Sequence, residues 1–248
     1  MKKQNNLIID IGNTLIKYYV FNKDTILKSY SEKLLNWYFS LEKIRKDYPE
    51  FNSAIISDVN GSILNKLQKT LNPLPLILCS IDLKLPFETK YNPPHQLGQD
   101  RIALLAACCL LYPKKNVLVI DLGSCITYDL LDQDRIHQGG TISPGFSMRF
   151  KSIYDYSGKL PLLQPVKEGN KLIGNTTKEA IQSGVYNSVS YELIGIIEAY
   201  KSKYQHLTVI LTGGDSQMLS KPLKNSIFAN SNFLAKGLNY ILAMNQTS

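Results

Sequence analysis

Histidine is scarce in this chain. Three occur in 248 residues, His95, His137 and His206, and no two stand at helical spacing, so no histidine-built metal centre is expected. The four cysteines, Cys79, Cys108, Cys109 and Cys125, lack the spacing of a zinc site and read as buried, reduced thiols. No apolar run approaches the ~20 residues that cross a bilayer, so no membrane partner is expected. The opening MKKQNNLIID has two lysines but no long apolar region and no small-residue cleavage site. It is not read as a signal peptide, and a cytoplasmic protein is expected. A concentrated basic patch is also missing. Lys and Arg exceed Asp and Glu by 28 to 20, a formal +8, yet Lys2, Lys3, Lys43, Lys46, Lys114, Lys115, Lys201 and Lys203 are scattered. With no interleaved aromatics and no helix-turn-helix carrying a basic recognition helix, a solvated surface is favoured over a nucleic-acid footprint. The positive field still suits a phosphorylated substrate.

What is present is an ordinary globular composition, 44% apolar and 10% aromatic, long enough for one large domain or two of about 120 residues. Two stretches resemble each other. NNLIIDIGNTLIKYYV (5–20) and NVLVIDLGSCITYDLL (116–131) each run an apolar strand into an acid, a glycine and two small side chains, then resume an alternating strand. Asp10 falls on Asp121, Gly12 on Gly123, Asn13 on Ser124 and Thr14 on Cys125. Each is followed by a turn containing Asp and another strand. The economical reading is two similar α/β halves, 1–115 and 116–248, joined near Pro113 to Asn116.

Periodicity predicts strands at 7–11, 15–21, 25–30, 53–57, 76–81, 117–120, 126–131, 136–138 and 208–211. It predicts helices over 32–47, 63–71, about 100–111, 146–154, 177–204 and 233–244. PFETKYNPP (86–94) and GGTISPG (139–145) read as irregular or rigid loops.

A strand ending in Asp-x-Gly lets main-chain N–H groups approach phosphate oxygens, because glycine has no Cβ and tolerates positive φ. The neighbouring carboxylate repels phosphate but can hold a cation or cation-bound water beside it, which makes Asp10 and Asp121 candidates for Mg²⁺ or monovalent-cation organisation. Lys17 can reach a phosphate as a point charge. One such turn alone is equally an Asp capping a tight connection. Two of them, with a third glycine turn at TGGDS (212–216) able to lie under a nucleoside, point to a two-lobed nucleotide-binding protein with phosphates between the lobes.

These features resemble the actin, sugar-kinase and heat-shock-chaperone ATPase superfamily, and within it type III pantothenate kinases. The resemblance is carried by DIGNTLIK (10–17), YNPPHQLGQDR (91–101), DLGSCITYD (121–129), GGTISPG (139–145), NTTKEAIQSG (175–184) and TGGDS, in the family's order. It implies the actin-like, ribonuclease H-like fold, an active site in the cleft between two lobes, and ATP-dependent phosphorylation of pantothenate on the way to coenzyme A. Asp10, Ile11, Gly12, Asn13, Thr14, Leu15, Ile16 and Lys17 match the family's ATP phosphate loop, and Ser124 matches an ATP-contacting position that is usually threonine. Tyr91, Gly98, Gln99, Asp100 and Arg101 match the pantothenate-binding segment, with Asp100 the catalytic base. Asp121 matches the monovalent-cation residue for potassium or ammonium, and Mg²⁺ comes with ATP. Thr177, three residues before Ala180, matches a threonine that reaches pantothenate across a homodimer interface, with Thr176 its rival. Cys125 replaces the family's usual alanine and is expected to be buried.

The residue types fit that chemistry. Phosphoryl transfer needs positioning and charge neutralisation. Asp100 can take or orient the proton of an attacking hydroxyl, and Arg101 offers a fork of donors for a carboxylate or phosphate. Without the resemblance, Asp100 reads equally as an acid in the first turn of a helix. Two other readings remain: a kinase of a sugar or other small alcohol, and a nucleotide-binding regulator without chemistry.

Overall fold

The computed structural model describes residues 5–165, 171–219, 227–228 and 232–246. The first elements are strands β1 (Asn5–Ile11), β2 (Leu15–Asn22) and β3 (Thr25–Lys33), helix α1 (Trp37–Asp47), strand β4 (Ser53–Asp58) and helix α2 (Leu64–Leu71). Strands β5 (Leu76–Leu78) and β6 (Glu88–Thr89) lead to helix α3 (Gln99–Leu111). Strands β7 (Val117–Leu122), β8 (Cys125–Leu131) and β9 (Ile136–Pro144) follow, then helices α4 (Phe146–Asp155) and α5 (Thr177–Lys203). Strands β10 (Thr208–Thr212) and β11 (Ile227–Phe228) and helix α6 (Phe233–Asn245) close the order.

The chain divides into two compact units, one of residues 1–113, 135–137 and 232–248, the other of 114–134 and 138–231. In the first, a mixed sheet runs β3-β2-β1-β4-β5. Its central strand β1 is antiparallel to β2 and parallel to β4. Leu7, Ile8 and Ile9 are all fully buried, as an uninterrupted apolar strand covered on both faces must be. Strand β3 is the polar, largely exposed edge. Helix α6, which the sequence pattern grouped with residues 116–248, packs on α3, β1 and β4. A Cβ on Gly237 would run into the carbonyl oxygen of Ala103, so α3 and α6 meet backbone to backbone.

In the second unit the sheet order is β11-β10-β7-β8-β9, with β7 parallel to β10 and antiparallel to β8. Helices α4 and α5 supply Phe146, Phe150, Tyr186, Val189 and Leu193 to its core against Leu118, Ile120 and Leu211 of the sheet. Both halves therefore build a mixed sheet around a strand that ends in Asp-x-Gly.

Several elements differ from their sequence expectation, and strand β5 stops at Leu78 where a strand over 76–81 was expected. GGTISP is strand, the second half of β9, because neighbouring strands supply the pairing that glycine's propensity argues against. Helix α1 starts at Trp37 rather than Glu32, since Glu32 and Lys33 still pair with Ile16 and Leu15. Within the proline-punctuated segment, Glu88 and Thr89 form β6 by pairing in parallel with Ile136 and His137.

Candidate active site

In the first unit, the turn after β1 closes with the Gly12 N–H donating to the Leu15 carbonyl at 2.9 Å. Asn13, Thr14 and Leu15 are exposed, whereas Ile11 and Ile16 are fully buried in the core. The two isoleucines can therefore offer a ligand only their main chain. Asp10 pairs across the hairpin with Lys17, whose Nζ lies 3.9 Å from its carboxylate. The Asp10 side chain is 14% exposed. Burial pushes its carboxyl up to about 6; Lys17 opposes this and the Asp100 carboxylate adds to it. Asp10 and Asp100, ninety residues apart in sequence, are thus close enough to feel each other's charge.

Asp100 lies in the first turn of α3, a helix whose next nine residues are all buried. Its Oδ1 accepts the Arg101 N–H at 2.8 Å. A Cβ on Gly98 would stand 2.6 Å from that same Oδ1, so the glycine leaves room for the carboxylate. The Gln99 side-chain carbonyl accepts the Asp58 N–H at 2.8 Å and ties the helix start to the end of β4. Gln99 therefore contributes anchorage through its side chain. Arg101 is 3% exposed; its guanidinium carbon lies 5.0 Å from the centre of the Tyr91 ring, and Nη1 donates to the Tyr91 hydroxyl at 3.4 Å. Tyr91, Gly98, Gln99, Asp100 and Arg101 are thereby brought together. Cys79 is held neutral nearby, its thiol raised to about 12 by burial and then by the Asp100 charge.

In the second unit, three glycine turns meet at the end of β7. Asp121 pairs with Thr212 on β10 and Thr127 on β8. The Gly145 N–H donates to the Ser124 carbonyl at 3.1 Å, and the Asp215 N–H donates to the Leu122 carbonyl at 3.0 Å. Gly213 has φ +93, and a Cβ there would stand 2.5 Å from Asp121 Oδ1 and collide with the Leu122 carbonyl oxygen. Carboxylate and main-chain oxygens thus pack closely around this turn, an oxygen-only donor set of the kind hard cations take. Ser124 is exposed, and burial raises the Asp215 carboxyl above its ordinary range. Cys125 is half-buried rather than buried, because it starts β8 beside the exposed turn. Among the described residues no three His, Cys, Asp or Glu side chains form a metal cluster. A divalent ion would accordingly need phosphate and water oxygens besides Asp10, the usual habit of Mg²⁺.

The family model for type III pantothenate kinases matches residues 6–199. The chain belongs to the type III pantothenate kinase family. A protein of that name from Christiangramia forsetii is 49% identical over 243 residues, covering 98% of this chain and 99% of its own length. Among solved structures, the fold is similar to that of a Campylobacter jejuni protein described as of the Baf transcriptional-activator family (TM-score 0.64, 23% identity, 96% of this chain and 98% of that one). It is also similar to that of the activator of 2-hydroxyisocaproyl-CoA dehydratase from Clostridium difficile, solved with bound ADPNP (TM-score 0.58, 12% identity, 97% and 94%). At these identities the likeness concerns the fold alone, which is the actin-like ATPase one. No helix among the described residues is long and apolar enough to cross a membrane.

Thr176 and Thr177 differ in what they do locally. Thr176 is the N-cap of α5, its hydroxyl accepting the Glu179 N–H at 3.2 Å, and Glu179 reaches back to the Asn175 N–H. Thr176 thus has a capping role, whereas Thr177 opens the helix; both are exposed. The T-x-x-E spacing in NTTKEA was the sequence signal for it. Two further groups had no sequence signal. Arg149 forms an ion pair with Glu192 at 2.5 Å, and Tyr128 donates to the same carboxylate at 2.9 Å. Burial works against the Glu192 charge, but hydrogen bonds from Arg149, Ser143 and Tyr128 outweigh it and hold the carboxyl below its usual range. The other group is His137, fully buried beside Tyr91.

Proposed function

We propose that the chain transfers the γ-phosphoryl group of ATP to the primary hydroxyl of pantothenate, giving 4′-phosphopantothenate, the first step of coenzyme A biosynthesis. The observation that carries this reading is the pairing of the Asp10 turn with Asp100 at the head of α3, two carboxylates near enough for Asp100 to raise Asp10. One acid beside a glycine turn suits the phosphate end, and the other, beside a buried guanidinium, suits the alcohol end.

In this mechanism the Gly12 turn and Lys17 receive the phosphates, with Ser124 as a further ATP contact. Asp100 accepts the hydroxyl proton as the oxygen attacks the γ-phosphorus. Arg101, fixed against Tyr91, holds the pantothenate carboxylate. Asp10 would help hold the Mg²⁺ that accompanies ATP, and that ion would neutralise developing phosphoryl charge. Asp121 would hold a monovalent cation, K⁺ or NH₄⁺, which would supply further positive charge beside the phosphates. Thr177 completes the pantothenate site of a partner subunit in a homodimer. Incubation with ATP, Mg²⁺, K⁺ and pantothenate is expected to yield 4′-phosphopantothenate, read by a coupled ADP assay and by mass; product from another alcohol in preference to pantothenate overturns the acceptor assignment.

The raised Asp10 carboxyl sets a pH dependence. The folded protein binds this proton more tightly than the unfolded chain, whose value is near 3.8. The group therefore favours folding most below pH ~4, and that benefit is lost as pH rises through about 6. Asp10→Asn is expected to stabilise the apoprotein at pH 7.5 by up to about 3 kcal/mol, from the linkage relation, and to change little at pH 4. The same variant is expected to lose ATP turnover, because a neutral amide lacks the negative charge that favours Mg²⁺. Denaturant melts at the two pH values and a turnover assay check both halves; equal destabilisation at both pH values contradicts the buried-charge account.

A further inference from the structure

We infer that His137 is a positioning residue for the alcohol substrate, setting the ring of Tyr91 and through it the guanidinium of Arg101. The inference rests on the placement of Tyr91 and Arg101 in the pantothenate site. His137 is 0% exposed. Its imidazole stacks on the Tyr91 ring, centroids 6.1 Å apart and planes 13° from parallel. Its Nδ1 shares a 2.8 Å hydrogen bond with the Thr89 hydroxyl, and that same oxygen accepts the Tyr91 N–H at 3.0 Å. Thr89 therefore clamps the main chain of Tyr91 while the histidine clamps its ring.

The clamp is built by strand pairing. Strand β6 pairs Thr89 with His137, and the Lys90 N–H donates to the His137 carbonyl at 2.9 Å. The two-residue strand that the proline-rich segment concealed exists at the point where Tyr91 leaves for the site. Arg101 then lies 5.0 Å from the centre of the fixed ring and bonds its hydroxyl. A guanidinium recognises a carboxylate best through two parallel N–H donors in one plane, so the direction of that plane matters to acceptor binding and not to ATP. A buried imidazole can act on acceptor binding by this route.

The test is steady-state kinetics of the full-length protein with pantothenate and ATP varied separately. His137→Ala is expected to raise KM for pantothenate by about 10-fold, the scale of a lost stack plus a lost hydrogen bond, with kcat and the ATP KM within about threefold of wild type. His137→Asn, which restores a hydrogen-bonding group towards Thr89, and His137→Phe, which restores the ring, are each expected to recover part of the affinity. Thr89→Val, a near-isosteric change, is expected to raise the same KM by about threefold. If His137→Ala unfolds the protein, Thr89→Val and His137→Phe carry the test. Equal rises in both KM values, or a fall in kcat alone, overturn the inference in favour of a merely structural histidine. Tyr91→Ala separates the two readings. If it raises the pantothenate KM while the His137 and Thr89 variants do not, the positioning role fails; if Tyr91→Ala itself leaves that KM unchanged, the placement of Tyr91 in the acceptor site fails.

Discussion

Asp100→Asn is expected to lower turnover by ~10²–10⁴-fold, the range typical of a general base, with the fold retained. An asparagine Oδ1 can still accept the Arg101 N–H that the Asp100 carboxylate accepts at 2.8 Å, so the first turn of α3 keeps its local bond. What is lost is the charge, which near a helix N-terminus contributes only about 0.3–1 kcal/mol. Two neighbours report on the substitution independently of activity. Asp100 raises both the Asp10 carboxyl and the Cys79 thiol, so each is expected to titrate lower in the variant. Carbon-detected NMR of Asp10 and thiol reactivity of Cys79 against pH read these shifts. Lowered titrations with wild-type turnover would remove Asp100 from the chemistry while leaving its location intact.

Gly213→Ala is expected to be the most damaging single-methyl change at the second glycine cluster. A φ of +93 is strained for any side chain, and the new Cβ would press on Asp121 Oδ1 and the Leu122 carbonyl together. The backbone strain alone costs ~1–3 kcal/mol. Relief by moving β7 would also shift Asp121, the residue proposed above to hold the monovalent cation. The expected result is a lower urea midpoint together with a higher K⁺ concentration for half-maximal activity. Gly214→Ala is the matched control for stability, since a Cβ there meets nothing within 4 Å. If the two alanine variants melt alike, the close packing of Gly213 on Asp121 is not what holds this turn.

Much of this was legible in residue order. The paired Asp-x-Gly turns announced both central strands, because an apolar run buried on two faces leaves few other interpretations of NLIID and VLVID. The sequence pattern was weakest where long-range pairing overrides local preference. Glycines 139 and 140 suggested a loop, yet β9 passes through them in the sheet position next to β8. Glu88 and Thr89 became strand only because Ile136 and His137 arrive alongside. At the candidate site, the residue types were readable but their division of labour was not. Gln99 turned out to brace α3 against β4, and Ile11 and Ile16 were spent on the core. His137 was invisible for a general reason: a lone histidine gains meaning from what it touches, and forty-five residues separate it from Tyr91.

The return of α6 to the first unit bears on how the polypeptide is made. A ribosome releases Asn5 to Leu111 long before it reaches Phe233, with the whole second unit emerging in between at roughly 5–20 residues per second. During that interval the small-residue face of α3 around Ala103 and Ala107 lacks the helix that later covers it. The second unit, contiguous but for three residues, can condense while it is translated; the first must wait until α6 has been made.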